Sequence, residues 1–251
     1  MKSKLVVLIS SFIFAVSFAS NSVAQETPTL ATVWACNYKD GKSMEDLAAW
    51  AEFWSESVDR MGADEFGDMR AVAWTPNRAG AEFDVIWLEY HDNLNSYARG
   101  AEVYGASPLS VPVETMWEGI VDCENSTHFR TNIFQGDDVQ IDDPATIETF
   151  RCRFHPGKSM VDVEQALARW SNILSNQEGS QKVVSYMFTP LHSSSGFDVS
   201  YYHVFDNLVE YAEGTTEYLT STEGQAMNNE WNSIHRCESS LFTGNRIIPE
   251  D

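Results

Sequence analysis

Ionisable side chains at the end of a predicted strand are the first candidates for chemistry in this sequence. Because residues two apart on a strand share a face, Trp87, Glu89 and His91 are expected to point the same way. A matching later segment carries Tyr201 and His203 on that face. Such a face could line a pocket in which His203 acts as acid or base. Trp87, Glu89, His91 and Tyr201 would then contact the ligand. The alternative is that the strand simply emerges into solvent at that end.

Basic side chains offer two weaker candidates. Arg151 and Arg153 alternate with apolar residues on another predicted strand and could hold an anion. They could equally pair with surface acids, since the chain has 37 Asp and Glu against 16 Lys and Arg. The Gly-Lys-Ser segment at 41–43 resembles the end of a phosphate-binding loop, but Cys36 stands where that loop requires a glycine. We therefore interpret its serine as a helix cap and predict no nucleotide site.

Whether the four cysteines form disulfides depends on the compartment to which the chain is delivered. Residues 1–24 begin with lysines, continue as an apolar run and end in small residues, which is typical of a secretory signal. The predicted location is therefore periplasmic or secreted, an oxidising environment in which an even number of cysteines favours disulfides. Zinc would favour C-x-x-C spacings, which the sequence lacks, so no metal site is predicted.

The sequence repeats itself once. The segment 35–44 matches 151–160, 116 positions later, and Trp54 falls on Trp170 at the same offset. From there the offset is 114, and it aligns Cys123 with Cys237. A single two-residue gap accounts for every match, which indicates a duplicated module.

The duplication sets the expected domain organisation. The first repeat is predicted over residues 31–135 and the second over 146–249, with an acidic linker over 136–145. The aspartates of this linker lack the order of a calcium-binding loop, so a calcium site is not predicted there.

Each repeat is predicted to have the order β-α-β-β-α-β. In the first repeat, strands are expected at 32–38, 69–75, 83–91 and 128–134, with one helix starting at Ser43. The second helix, 93–120, is expected to be interrupted by Pro108 and Pro112. The second repeat is expected to follow the same plan, with its later elements at 183–189, 197–205, 207–234 and 241–248.

This element order is the ferredoxin-like arrangement, and its duplication resembles the dimeric α+β barrel superfamily. The resemblance implies an α+β fold of two tandem ferredoxin-like βαββαβ modules, packed as an intramolecular α+β barrel. The superfamily includes cofactor-independent monooxygenases, haem-dependent chlorite dismutases and small-molecule-binding proteins. His155, His203 and His235 could serve as haem ligands, but no proximal histidine with a partner acid maps onto this sequence. We predict no cofactor, and haem remains the alternative.

The same topology implies the disulfide pairing. It places the last strand antiparallel beside the first, so that Cys36 would pair with Cys123 and Cys152 with Cys237. In this arrangement the fourth strand starts just after Cys123. The alternative pairing joins the equivalent cysteines of the two repeats.

Three functions are compatible with these features. The leading hypothesis is an exported protein that binds a small aromatic or apolar molecule. The alternatives are a cofactor-independent oxygenase or isomerase that uses His203, and a structural or interaction module with a filled core. The net charge of −21 disfavours nucleic acid and anionic membrane surfaces as partners. The sequence fixes neither the ligand nor the oligomeric state.

Overall fold

A computed structural model describes residues 29–67, 69–77, 82–141, 143–193 and 196–246. The predicted signal segment, 1–24, lies outside the described residues. The strands are β1 (Thr29–Tyr38), β2 (Arg70–Pro76), β3 (Val85–His91), β4 (Val121–Gln135), β5 (Ala145–Phe154), β6 (Val183–Ser193), β7 (Val199–Phe205) and β8 (His235–Arg246). The α-helices are α1 (Met44–Gly62), α2 (Leu94–Ala106), α3 (Ser110–Ile120), α4 (Met160–Leu174), α5 (Leu208–Thr220) and α6 (Thr222–Ile234).

The eight strands form one closed antiparallel barrel in the order β1-β3-β2-β8-β5-β7-β6-β4. Each half contributes four strands in the ferredoxin-like order, and the pairs β2–β8 and β4–β6 join the two halves. The predicted fold, two ferredoxin-like modules packed as an intramolecular α+β barrel, is confirmed. None of the helices in the described ranges is long and apolar enough to cross a membrane.

Strand alternation divides the apolar residues between two layers. One face of every strand points into the barrel, where Leu88, Ile147 and Phe188 are buried in a common core. Near them the guanidinium of Arg130 lies over the rings of Tyr90 and Tyr186, 4.7 and 3.7 Å from their centroids. The opposite face packs under the helices, in one separate core for each half. Two cavities of ligand size lie between the sheet and the helices.

The second helix of each repeat is divided in two, and proline is not the common cause. In the first repeat the break falls between α2 and α3, and Pro112 lies in the first turn of α3, where proline is tolerated. In the second repeat the break falls at Ser221, which ends α5 and caps α6 by accepting a hydrogen bond from the Gly224 N–H. The side chain of Gln177 also donates to this hydroxyl, at 3.0 Å. The interruption thus belongs to the fold, with different local chemistry in each half.

The last strand of each repeat begins earlier than the sequence pattern indicates. β4 starts at Val121, directly after α3, so Cys123 lies inside the strand and not before it as predicted. Cys36 is its direct partner across β1 and β4, and their Sγ atoms are bonded at 2.07 Å. Cys152 and Cys237 are opposed in the same way and bonded at 2.00 Å. These are the pairs that the topology predicts.

Candidate functional site

Each half has a cavity between the outer face of its sheet and its helices. The second-half cavity measures about 400 Å³ and the first-half cavity about 240 Å³. The larger one lies within the range of small-molecule sites. Its principal lining residues are Glu148, Phe150, Trp170, Ser185, Tyr201, His203, Tyr218, Trp231 and His235.

The duplicated sequence explains why the second-half cavity is larger. In the first half, Trp50 packs against Trp54 and Trp117, with ring centroids 5.9 and 4.4 Å away. The position equivalent to Trp50 in the second half is Ala166. Two further tryptophans of the first half align with smaller rings in the second half: Trp34 aligns with Phe150, and Trp87 aligns with Tyr201. Removing this aromatic volume while the backbone frame is kept leaves space under the helices.

His203 forms part of the wall of the second-half cavity. Its Nδ1 lies 2.8 Å from the hydroxyl of Ser185, and its ring contacts Phe150 and Trp170 with centroids 5.5 Å away. Burial among these groups lowers the pKa of His203 to about 4, so the imidazole is neutral at physiological pH. Within the described part of the chain, Nε2 has no hydrogen-bond partner, which leaves it able to contact a ligand.

Glu148 is a candidate site residue that the sequence analysis missed. It lies directly opposite His203 across β5 and β7, on the same face of the sheet. Tyr211 donates a hydrogen bond to its Oε1 at 3.2 Å, and burial raises the pKa of the carboxyl. The repeat alignment contains the signal, because Glu148 places a carboxyl where the first repeat has the uncharged Thr32.

Two tyrosines add polar groups to the same cavity. The hydroxyl of Tyr201 lies 3.2 Å from Nε2 of His235, and the ring of Trp231 stacks on that histidine. The hydroxyl of Tyr218 is buried and has no hydrogen-bond partner among the described residues. An unpaired buried hydroxyl destabilises the folded state, and a ligand with an accepting or donating group would satisfy it.

The other predicted residues of this strand face lie in the first-half cavity. There, Trp87 Nε1 donates to Glu89 Oε1 at 3.1 Å, and burial raises the pKa of Glu89 to about 7. His91 is only 5% exposed, and burial lowers its pKa to about 4. The 3.9 Å approach of His91 to Glu89 is therefore not an ion pair, because the imidazole is neutral near pH 7. The structure thus divides the predicted strand-face residues between two separate cavities.

Arg151 and Arg153 lie on the opposite face of β5 and do not line either helix-side cavity. Arg151 is directed to carboxylates, with Nη2 3.1 Å from Glu82 and 4.0 Å from Glu238. It borders a small cavity of about 120 Å³. This geometry favours pairing with surface acids as the role of Arg151.

One group of potential metal ligands occurs in the described ranges, formed by Cys152, His235 and Cys237. The two sulfurs are joined in a disulfide, so neither is the thiolate that binds metal.

No protein-family model matches the chain, and no curated protein matches it either. Solved structures do match over most of its length. A chlorite dismutase variant from Candidatus Nitrospira defluvii is 9% identical with a TM-score of 0.53, covering 87% of this chain and 92% of that one. A dye-decolorizing peroxidase from Bacteroides thetaiotaomicron is 11% identical with a TM-score of 0.53, covering 90% and 95%. An anthrone oxidase-like protein is 8% identical with a TM-score of 0.53, covering 89% and 94%.

The fold is that of the α+β barrels. At these identities the likeness concerns the fold alone, and the chemistry of this chain has to be argued from its own cavities.

Proposed function

We propose that this chain is an exported protein that binds a small, neutral, aromatic molecule in the second-half cavity. The observation that carries the proposal is the space of about 400 Å³ under α4, α5 and α6, where the tryptophans of the first half leave a smaller cavity of about 240 Å³. A structural module with a filled core would have no reason to exchange Trp50 for Ala166 at the equivalent position. The retained cavity therefore supports binding over a purely structural role.

The wall of the cavity defines the chemistry of the ligand. Trp170, Trp231 and Phe150 provide aromatic surface, which favours stacking with a flat ring. The unpaired hydroxyl of Tyr218 and the Nε2 of His203 provide polar contacts. No arginine or lysine lines the cavity within the described ranges, which disfavours an anionic ligand. A phenol-like molecule, with one ring system and one or two polar substituents, meets these requirements.

Export rests on two features that support each other. The signal-like segment 1–24 directs a chain out of the cytoplasm, and both cysteine pairs are joined as disulfides. Disulfides persist in oxidising compartments, so a periplasmic or secreted location follows from the proposal.

Haem is the cofactor that the resemblance to chlorite dismutases implies, but the second-half cavity does not suit it. The two propionates of haem require compensating charge, whereas the described lining contains no cation and includes the buried carboxyl of Glu148. His203 could approach a metal through Nε2, but its Nδ1 is paired with the Ser185 hydroxyl. Metal-bound histidines usually donate that proton to a carboxylate, backbone carbonyl or water.

An enzymatic conversion in the same cavity is the second candidate. The neighbouring carboxyl and imidazole of Glu148 and His203 favour it, and one structural neighbour is described as anthrone oxidase-like. A general base works best with a pKa near the operating pH. A pKa of about 4 makes His203 a weak base, whereas burial moves the pKa of Glu148 upward from 4.5. Glu148 is therefore the better candidate for proton transfer, in place of His203.

The test is a fluorescence titration of the protein with a series of phenols, naphthols and their deoxy analogues. Ring stacking on Trp170 and Trp231 is expected to quench the emission, and calorimetry would give the stoichiometry. Tyr218→Phe should weaken binding of the hydroxylated ligands by about 5- to 10-fold and leave the deoxy analogues unchanged.

The matched control is Tyr104→Phe, which alters the equivalent tyrosine of the first half. It should leave the affinity of every ligand in the series unchanged. The proposal fails if no compound of the series binds, or if the two variants change the affinities equally. Turnover of a bound phenol that depends on Glu148 would instead support the enzymatic candidate.

A further inference from the structure

The first-half cavity has a composition different from that of the second-half cavity. Its wall contains Trp34, Trp50, Trp54, Trp87 and Trp117. The indoles of Trp50, Trp54 and Trp87 contact one another, with centroids 5.1 to 5.9 Å apart. Two of these contacts are edge-on, so the rings present faces in different directions. Electron-rich faces arranged around a small space attract cations, and indole does so most strongly among the aromatic side chains.

The charged groups of this cavity are acidic. Glu89 comes from β3 and Glu114 from α3, and both line the space of about 240 Å³. Each is fixed by a neighbour, because Trp87 donates to Glu89 at 3.1 Å and Tyr104 donates to Glu114 at 2.8 Å. The described lining contains no arginine or lysine that could neutralise them. Burial, and to a smaller extent the nearby Glu114, raise the pKa of Glu89, and a cation bound beside the two carboxyls would favour their charged form.

His91 supplies an independent indication of a ligand. It lines the same cavity, is 5% exposed, and has no hydrogen bond at either ring nitrogen within the described residues. The equivalent residue of the second half is Phe205, which shows that an apolar ring fits this place in the fold. A polar ring kept here without a partner costs stability, so its retention indicates a role other than packing.

We propose that the first-half cavity is an aromatic cage for a small organic cation of the alkylammonium class, such as a quaternary ammonium group. The tryptophan faces would surround the charged head group, and the carboxylates of Glu89 and Glu114 would balance its charge. The cavity of about 240 Å³ has room for a trimethylammonium head with a short tail. This site is independent of the second-half cavity and of the ligand proposed there.

The experiment compares two molecules of the same shape. Choline carries a trimethylammonium head, and 3,3-dimethylbutan-1-ol carries the neutral carbon equivalent. Tryptophan fluorescence and calorimetry of the full-length mature protein give both affinities. Choline is expected to bind at least about 10-fold more tightly, because its charge is attracted by the aromatic faces and by the two carboxylates, whereas the neutral molecule gains only apolar contact.

Three variants locate the site. Glu89→Gln and Glu114→Gln keep the shape of the side chain and should each weaken choline binding by about 5-fold or more, with little change for the neutral molecule. Glu56→Gln, at an exposed position on α1, removes the same charge and should change neither affinity. Circular dichroism shows whether each variant is folded. If one of the two cavity variants does not fold, the other still tests the site.

The proposal is overturned if the neutral molecule binds as tightly as choline, or if no saturable choline binding occurs at millimolar concentrations. It is also overturned if both cavity variants keep the original affinity, because choline would then bind elsewhere. Tyr218 lines the second-half cavity, so Tyr218→Phe should leave choline binding unchanged. The choline result therefore does not depend on whether phenols bind in the second half.

Discussion

Replacing His91 with phenylalanine is predicted to stabilise the protein. Both ring nitrogens of His91 are buried without partners among the described residues, and such unsatisfied groups cost about 1–3 kcal/mol each. The second half shows that the site accepts the apolar ring, since the Phe205–Tyr211 centroid distance of 5.4 Å matches the His91–Tyr97 distance of 5.1 Å. His91→Phe should therefore raise the free energy of unfolding at pH 7 by at least about 1–3 kcal/mol, the cost of one such group.

The pH dependence of this effect has a definite sign. Burial lowers the pKa of His91 from 6.5 to about 4, so between these values the unfolded chain binds more protons than the folded one. Folding stability is lost as the pH falls from 6.5 toward 4, by roughly 3 kcal/mol at 1.36 kcal/mol per unit. The substitution removes this loss, so its stabilising effect should increase toward pH 4. Glu89 acts in the opposite direction, because its raised pKa of about 7 favours the folded state at low pH.

Urea denaturation at pH 7 and pH 5, followed by far-ultraviolet circular dichroism, measures both effects. The matched control is Phe205→His, which introduces the same polar ring into the second half and should destabilise the protein. The reasoning is refuted if His91→Phe lowers the unfolding free energy, or if its effect is the same at both pH values.

Three further predictions follow from the described contacts. Replacing Cys36 and Cys123 together by serine should lower the free energy of unfolding by about 4–5 kcal/mol in urea, because the bridge closes a loop of 87 residues; an unchanged midpoint would contradict the pairing. Added hemin should keep the spectrum of the free compound, because the second-half cavity has no described cation for its propionates, and a sharp Soret band would contradict that. Glu148→Gln should stabilise the protein more at pH 8 than at pH 4, since a raised carboxyl pKa makes stability decrease as pH rises; an equal effect at both pH values would contradict the burial of Glu148.

The repeated sequence predicted most of the fold because duplication constrains it strongly. The alignment with its two-residue gap established the repeated element order, and the resemblance of that order to the α+β barrel superfamily implied the barrel and the cysteine pairs. The predicted start of β4 was wrong because Asp122 and Glu124 interrupt any apolar run there. In the structure their side chains lie on the face of the strand opposite to Val121 and Cys123. The break at Ser221 was not visible because it depends on capping by a side chain and contains no proline.

The candidate sites were predicted only in part, because a strand face is a local property and a cavity is not. Alternation correctly grouped Glu89 with His91, and Tyr201 with His203, as neighbours on their strands. It could not show that the two groups lie under different sets of helices. Nor could it find Glu148, whose importance comes from its register opposite His203 on another strand. Comparing the two repeats residue by residue is what reveals it.

The most direct test of the proposed function is a crystal structure of the protein with the tightest-binding phenol of the titration series. We predict that the ring lies in the second-half cavity between Trp170 and Trp231, with its polar substituent within hydrogen-bond distance of the Tyr218 hydroxyl. A ligand bound elsewhere, or a second-half cavity that closes around its own side chains in the crystal, would contradict the account.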